Sequence, residues 1–177
     1  MLKLKGHNIF LRALEPEDLD FLYKLENDTA IWEVSETQTP YSKFILKQYL
    51  TNAHRDIYEV KQLRLAICHL NGDVAGFVDL YDFDPKNQKA GVGIVVLNSE
   101  RRTGVARDAL NTLISYCFDI LNLHQIYAGV ADDNEASIAL FTALNFVKTA
   151  IKKDWIRTAE GYKNELLFQK INTKNVS

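Results

Sequence analysis

The run Val92-Gly93-Ile94-Val95-Val96-Leu97 has no polar face. A strand that is apolar on both sides must be buried on both sides, so it belongs near the centre of a sheet covered by two layers. The next residues narrow the fold further. A turn, Asn98-Ser99-Glu100-Arg101-Arg102-Thr103-Gly104, leads into a stretch where Val105, Ala109, Leu113, Cys117 and Ile120 recur every three or four residues. That is the spacing of a long helix with one apolar face. Gln125 to Ala131 is then another buried strand. Strand, helix and strand in this order form a crossover, which is right-handed and makes the two strands parallel.

The flanking segments read as hairpins and capped helices. Ile9 to Leu14 is a short strand, and Pro16 with Glu17 and Asp18 marks a helix start whose apolar face is Leu19, Phe21, Leu22 and Leu25. Ser42 can cap a second helix with Phe44, Ile45, Gln48 and Tyr49 at helical spacing. Leu63–Leu70 and Val74–Tyr81 are strands joined by Asn71-Gly72-Asp73, a strong hairpin signal, and Asp84-Pro85-Lys86-Asn87 is a second turn. Asp132-Asp133-Asn134 caps a helix running to about Leu144. Val147–Arg157 and Tyr162–Lys170 are closing strands around Glu160-Gly161. The expected order is β-α-α-β-β-β-α-β-α-β-β, an α/β (α+β) fold with one mixed, mostly antiparallel, twisted sheet.

Composition removes several function classes. The chain has 177 residues, 47% apolar and 25% charged, the size and balance of one globular domain. Lys+Arg is 21 against Asp+Glu 23, a net charge of -2, so no global basic field exists to hold nucleic acid or an anionic membrane. No apolar run approaches the roughly 18 to 20 residues of a membrane span. Met1 to Lys5 alternates Leu and Lys, the pattern of neither a signal nor a transit peptide. Cys68 and Cys117 lie in apolar runs without metal or redox spacing. A cytoplasmic protein with reduced cysteines and no metal is expected.

The chemistry concentrates at Arg101-Arg102-Thr103-Gly104-Val105-Ala106. The first N–H groups of a helix lack intrahelical partners and carry partial positive charge, so this turn is suited to an anion. Gly104 and Ala106 let a phosphate approach the backbone, and Arg101, Arg102 and Arg107 add formal charge. A ligand with a diphosphate fits, as does a plain turn with solvated arginines. Neither G-x-G-x-x-G nor a Walker loop is present.

Read from Ala90 to Ala106, this segment resembles the acetyl-CoA signature of the GNAT superfamily of N-acetyltransferases, Gln/Arg-x-x-Gly-x-Gly/Ala, met here by Arg101, Gly104 and Ala106. Asn134-x-x-Ser137 followed by Leu140-Phe141-Thr142-Ala143-Leu144-Asn145-Phe146 is similar to the family's Asn-x-x-Ser/Ala and Leu-Tyr-x-x-x-Gly-Phe. Leu11-Arg12-Ala13-Leu14-Glu15-Pro16-Glu17-Asp18-Leu19 resembles the opening of the branch acting on ribosomal-protein N-termini and polyamines. Ile120 to Tyr127 is similar to spermidine acetyltransferases. The resemblance covers roughly residues 2 to 170.

It implies a single acetyltransferase domain, 1–171, with a tail, 172–177. It also implies a central parallel pair splayed to admit CoA, and helices on both faces. The backbone of Ile94, Val95 and Val96 would bind the pantetheine arm. The turn from Arg101 through Arg102, Thr103, Gly104, Val105, Ala106 and Arg107 would hold the diphosphate. Asn134 and Ser137 would lie at the cofactor, with helix capping by Asn134 compatible with that role. Acetyl-CoA is the implied co-substrate. The implied acceptor is a primary amine on a small molecule, a polyamine or a peptide N-terminus. The resemblance and the aromatic closing strands, with Trp155, Tyr162 and Phe168, further suggest a homodimer.

The reaction would be direct attack of the amine on the thioester. Making a lysine-like amine neutral at pH 7 costs about 4.6 kcal/mol, and the thiol of CoA leaves more easily. The chain departs from the family at both proton-transfer positions. Phe141 stands where a tyrosine acid is usual, and Gly91 where many relatives have glutamate. Asp79, Tyr81 and Asp132, with Asp133, are the remaining base or relay candidates, each also readable as a solvated strand-end or capping residue. Tyr127 and His124 read as structural, and Trp32 and Tyr41 as pocket or core. Two other functions stay open: a CoA-binding sensor or scaffold with a degraded catalytic site, and a nucleotide-phosphate binder.

Overall fold

The computed structural model describes residues 4–175; Met1–Lys3 of the Leu/Lys alternation and Val176–Ser177 of the expected tail lie outside the described residues. The strands are β1 (Leu4–Lys5), β2 (Ile9–Ala13), β3 (Leu63–His69), β4 (Val74–Asp84), β5 (Lys89–Val96), β6 (Gln125–Ala131), β7 (Val147–Thr158) and β8 (Gly161–Ile171). The helices are α1 (Leu19–Glu26), α2 (Trp32–Ser35), α3 (Lys43–Asn52), α4 (Ile57–Val60), α5 (Val105–Ser115) and α6 (Glu135–Ala143). One eight-stranded sheet runs β1-β2-β3-β4-β5-β6-β8-β7. Every pair is antiparallel except β5 with β6.

The sheet separates two cores. On one face Ile9, Leu11, Ile67, Leu80, Val92 and Ile126 pack with Leu110 and Leu113 of α5 and with Phe141 of α6. On the other, Phe10, Ala66 and Phe77 pack with Leu22 and Leu25 of α1 and Leu46 of α3. Consecutive residues such as Ile9, Phe10 and Leu11 are all buried because alternate side chains serve opposite cores. β5 behaves the same way: Ile94 and Val96 pack on the first core, Val95 and Leu97 on the second. Burial on both faces and the parallel crossover are as the sequence predicts.

Three expectations are corrected. The α3 residues that turn inward are Leu46, Tyr49 and Leu50, whereas Phe44 and Ile45 are exposed. Two stripes there have helical spacing, and packing on α1 selects one. The long helix leaves α geometry after Ser115 and closes with a π turn over Tyr116–Ile120. The wider turn shifts later positions around the axis, so Cys117 is buried but Ile120 faces outward. Phe168 belongs to the core, not to the exposed aromatic face that Trp155 and Tyr162 form. Both cysteines are free and buried. Beyond β8, Asn172 is buried, its N–H donating to the His124 carbonyl at 2.8 Å, and Lys174 pairs with Asp119 at 3.0 Å. These contacts tie residues 172 and 174 to the domain.

An ion pair ties the start of the N-terminal helix to β2. Arg12 on β2 donates to both oxygens of Asp18 at 2.8 and 2.9 Å, and the Glu15 N–H donates to Asp18 at 2.8 Å. Burial pushes the Asp18 carboxyl up, but the Arg12 and Glu15 hydrogen bonds outweigh it and hold the carboxyl below its usual range. Asp18→Ala leaves Arg12 unpaired and is expected to cost about 3 kcal/mol, the low end for a broken buried pair, in urea unfolding. In the parent this contribution is present above the unfolded carboxylate value of about 3.9 and is lost as pH falls through the lowered native value. The difference in stability between parent and variant should therefore shrink in acid.

Candidate active site

β5 and β6 are hydrogen-bonded only where Lys89, Ala90 and Gly91 meet Gln125, Ile126 and Tyr127. Past this point β5 stays paired with β4 as far as Val96, and β6 stays paired with β8 as far as Ala131. The strands part, opening a fork in the middle of the sheet. The facing edges, Val92 to Val96 and Ala128 to Ala131, have no strand partner on that side. Backbone N–H and C=O groups in such a place require partners, and an extended ligand can supply them as an added strand would. Ile94, Val95 and Val96 are half-buried along this edge.

The fork leads to the anion turn. After β5 the chain makes a 3-10 turn, Asn98–Glu100, then passes Arg102 at φ 62° and Gly104 at φ 89° into α5. The Thr103 hydroxyl donates to the Glu100 carbonyl at 2.6 Å, closing the turn. The Asp108 N–H donates to the Gly104 carbonyl at 3.1 Å, the first step of the α5 ladder. The amides of Val105, Ala106 and Arg107 therefore precede the ladder. Nothing lies within 4 Å of where a Cβ on Gly104 would project. Arg101, Arg102 and Arg107 are exposed and, among the described residues, none is in an ion pair. Open amides, a turn without a Cβ and three unneutralised cations fit the diphosphate of CoA.

Asn134 caps α6, its side-chain oxygen accepting the Ser137 N–H at 3.1 Å. Phe141 is 4% exposed, with its ring edge-on to Phe146 at 5.0 Å and stacked near Phe168 at 6.2 Å. The chain leaves α6 through Asn145 at φ 61°; the Phe146 N–H donates to the Phe141 carbonyl and the Asn145 N–H to that of Thr142, both at 3.0 Å. This is a Schellman ending, and the Phe141–Phe146 contact is its usual apolar partner. Asparagine takes the left-handed position that the family pattern gives to glycine.

Asp79 is engaged. Arg64 donates to its two oxygens at 2.6 and 3.1 Å and also pairs with Glu26 of α1, while its guanidinium lies over Phe77. Burial acts against the Arg64 charge, but the carboxylates outweigh it and raise its pKa. Asp132 directly follows β6, accepting from Asn164 Nδ2 at 2.9 Å. Asp133 pairs with Lys163 of β8 at 2.8 Å, and Lys163 also pairs with Glu33 of α2. The Tyr81 ring lies across Gly91, edge-on to Tyr127 at 6.0 Å. Thus the four predicted catalytic positions are divided. Asp79 and Tyr81 alternate with Phe77 toward the α1–α3 face, whereas Phe141 belongs to the core on the opposite face. Asp132 lines a depression of about 460 Å³ together with Ile138 and Thr142 of α6.

His124 is a turn residue, its N–H donating to the Gln88 carbonyl at 2.7 Å. Trp32 donates from Nε1 to the Glu26 carbonyl at 2.9 Å and packs on the second core; Tyr41 is tied to Asn27 through its backbone. Sequence reasoning misses Arg64, Lys163 and Glu165, which organise the charges on the α1–α3 side. Arg64 had a signal, a cation inside the apolar strand Leu63-Arg64-Leu65. Lys163 had none, since its partners lie in α2 and the β6–α6 loop.

Known proteins agree with this geometry. Residues 8–147 match the family model described as an acetyltransferase (GNAT) domain. The chain is 31% identical over 138 residues to the spermidine N(1)-acetyltransferase of Vibrio cholerae serotype O1, covering 78% of each chain. It is 28% identical over 141 residues to that of Escherichia coli K12, covering 80% of this chain and 74% of the other. The solved Vibrio cholerae spermidine N-acetyltransferase in complex with CoA and spermine superposes with a TM-score of 0.86 at 24% identity, covering 96% of this chain and 99% of that one. A dodecameric structure of the Vibrio cholerae enzyme superposes with a TM-score of 0.79 at 26% identity, covering 96% and 97%. The chain belongs to the GNAT acetyltransferase family and transfers an acetyl group from acetyl-CoA to an amine.

Proposed function

We propose that the acceptor is a small polycationic amine of the polyamine class. The observation that carries this reading is the charge on the α1–α3 side of the fork. Arg64 is shared by Glu26 and Asp79, and Lys163 by Glu33 and Asp133, so each cluster has two carboxylates for one cation. Each keeps one negative charge in excess, which attracts a polycation. The spermidine acetyltransferases among the relatives support the same class. A peptide N-terminus is the acceptor suggested by the putative ribosomal N-acetyltransferase YdaF of Bacillus subtilis, which is 24% identical over 157 residues. That acceptor has no particular observation in its favour here. Kinetics with a panel of spermidine, spermine, aminoglycosides and peptides is expected to rank polyamines first; a peptide ranking first would overturn the proposal.

In this reading Ile94, Val95 and Val96 hold the pantetheine arm by their backbone. Arg101, Arg102, Thr103, Gly104, Val105, Ala106 and Arg107 hold the diphosphate, and Asn134 and Ser137 lie beside the cofactor at the start of α6. Bound acetyl-CoA supplies the activated thioester. Asp79 and Asp132 act as fixed carboxylates that shape the field, and the acetyltransferase domain is 1–171, with Asn172 and Lys174 of the following tail held against it. No described helix is long and apolar enough to cross a membrane, and we place the protein in the cytoplasm, in keeping with its free cysteines.

Gly104→Asp puts a carboxylate into the anion turn. It is expected to weaken CoA binding at least tenfold by calorimetry, while Gly104→Ala, which carries only the backbone strain of φ 89°, is expected to weaken it less. Phe141→Tyr adds a hydroxyl beside Phe146 and Phe168. Without a partner it costs about 1 to 3 kcal/mol, so the expected result is a lower Tm with no gain in kcat.

Self-association is proposed through the exposed edge strand. Val147, Ile151 and Trp155 of β7 and Tyr162 of β8 are all more than half exposed, and β7 ends the sheet. Unpaired edges invite pairing, and we propose a homodimer as the unit. Light scattering at micromolar concentration is expected to give at least twice the 20.2 kDa chain mass, and Trp155→Glu to reduce it.

A further inference from the structure

Resting on the acetyl-transfer reading, we propose that the Tyr81 hydroxyl is the proton donor of the reaction, and that Gly91 lacks a side chain so that this phenol can reach the fork. A Cβ on Gly91 would lie 2.2 Å from Cε2 and 2.3 Å from Cζ of Tyr81. The ring therefore occupies the space of a residue-91 side chain. Gly91 is also the last β5 residue paired with β6, its partner being Tyr127. The Tyr81 ring thus starts on β4 and crosses β5 at the point where the fork begins.

The hydroxyl lies beyond Cζ on the side of the backbone amide of Gly129, the next β6 residue on the same face after Tyr127, and that amide acts on it. Gly129 too is cleared for a neighbour: a Cβ there would lie 2.6 Å from the carboxyl carbon of Glu165, which pairs with Lys152 at 2.9 Å. Two glycines, one on each side of the parting strands, make room for a phenol and a carboxylate. Tyr127, Glu165 and Asp82 are the ionisable groups that act on the phenol. Burial, with those neighbours, pushes the Tyr81 pKa up to about 12 against the opposing pull of the Gly129 amide. The phenol keeps its proton at working pH and is a donor rather than a base at rest; burial also weakens it as an acid, so it gives its proton only as the proton shed by the nitrogen is returned to it.

In the transfer step the attacking nitrogen bonds to the thioester carbonyl carbon, and the C–S bond breaks with its electron pair on sulfur. Tyr81 passes its hydroxyl proton to that sulfur. The proton shed by the nitrogen returns to the Tyr81 oxygen, directly or through water, and regenerates the phenol. The Gly129 N–H steadies the oxygen while it is charged. Phe141, with no proton, has no part in the transfer.

Tyr81→Phe keeps the ring and removes the hydroxyl. It is expected to lower kcat about 10²-fold, the low end for a lost general acid, with KM for acetyl-CoA, calorimetric CoA affinity and Tm little changed. Gly91→Ala displaces the ring and should lower kcat similarly, but adds no further loss in the Tyr81→Phe background. A readout independent of turnover is the ¹³Cζ resonance of Tyr81 in tyrosine-labelled protein, assigned by its loss in Tyr81→Phe; it should shift when CoA is added. An unchanged kcat in Tyr81→Phe, or a resonance indifferent to bound CoA, overturns the proposal. Failure of the parent to bind CoA in the calorimeter would instead overturn the cofactor-site reading beneath it.

Discussion

The parting of β5 from β6 is the constraint on which the rest of the molecule depends. An interior edge costs free energy, because buried N–H and C=O groups without partners lose their water and gain nothing. Two adjacent strands can diverge only if each is held on its other side. β4 holds β5 through Val96, and β8 holds β6 through Ala131. The hairpins flanking the crossover are therefore what keep the fork open. β8 pairs with β6 along its whole length, from Gln125 to Ala131.

The second constraint is charge on the acceptor side. Each carboxylate of the two clusters is paired with a cation that it shares with a second acid, so each cluster sets two acids against one cation. Arg64 suits this role because its planar fork reaches Asp79 through two nitrogens while a third reaches Glu26. Lys163 joins α2 to the loop after β6, linking the helical cover to the sheet at the end where the fork is open. A substitution at either cation would disturb the field and the packing of the cover together.

Much of this was legible in the sequence, for identifiable reasons. The two-faced apolar run at Val92–Leu97, the hairpin at Asn71-Gly72-Asp73 and the Ser42 and Asn134 caps are local signals, and local physics decides them. The turn before α5 was legible as a left-handed glycine entry to a helix flanked by arginines, but those residues alone suit a solvated turn as well as an anion site, and the wider motif was needed to prefer the latter. Choices settled by distant neighbours were not legible. Whether Phe44 or Leu46 faces inward depends on α1, and the exposure of Ile120 depends on a π turn that helical spacing does not announce. The partners of Arg64 and Lys163 are set by how α1 and α2 lie on the sheet, which no spacing within a strand encodes.

Gly91 and Phe141 looked in the sequence like two independent losses of proton-transfer groups. In the structure they have separate physical reasons. Phe141 completes an apolar cluster at the end of α6, where Asn145 turns the chain and Phe146 closes on the ring. A phenol there would need a partner that Phe146 and Phe168 do not offer. Gly91 is small because another ring fills its space, and a glutamate at that position would have to expel Tyr81. Glutamate at position 91 and the present placement of Tyr81 are thus mutually exclusive by sterics. A chain that carries the phenol cannot keep the glutamate, so the glycine marks an exchanged proton group rather than a vacant one.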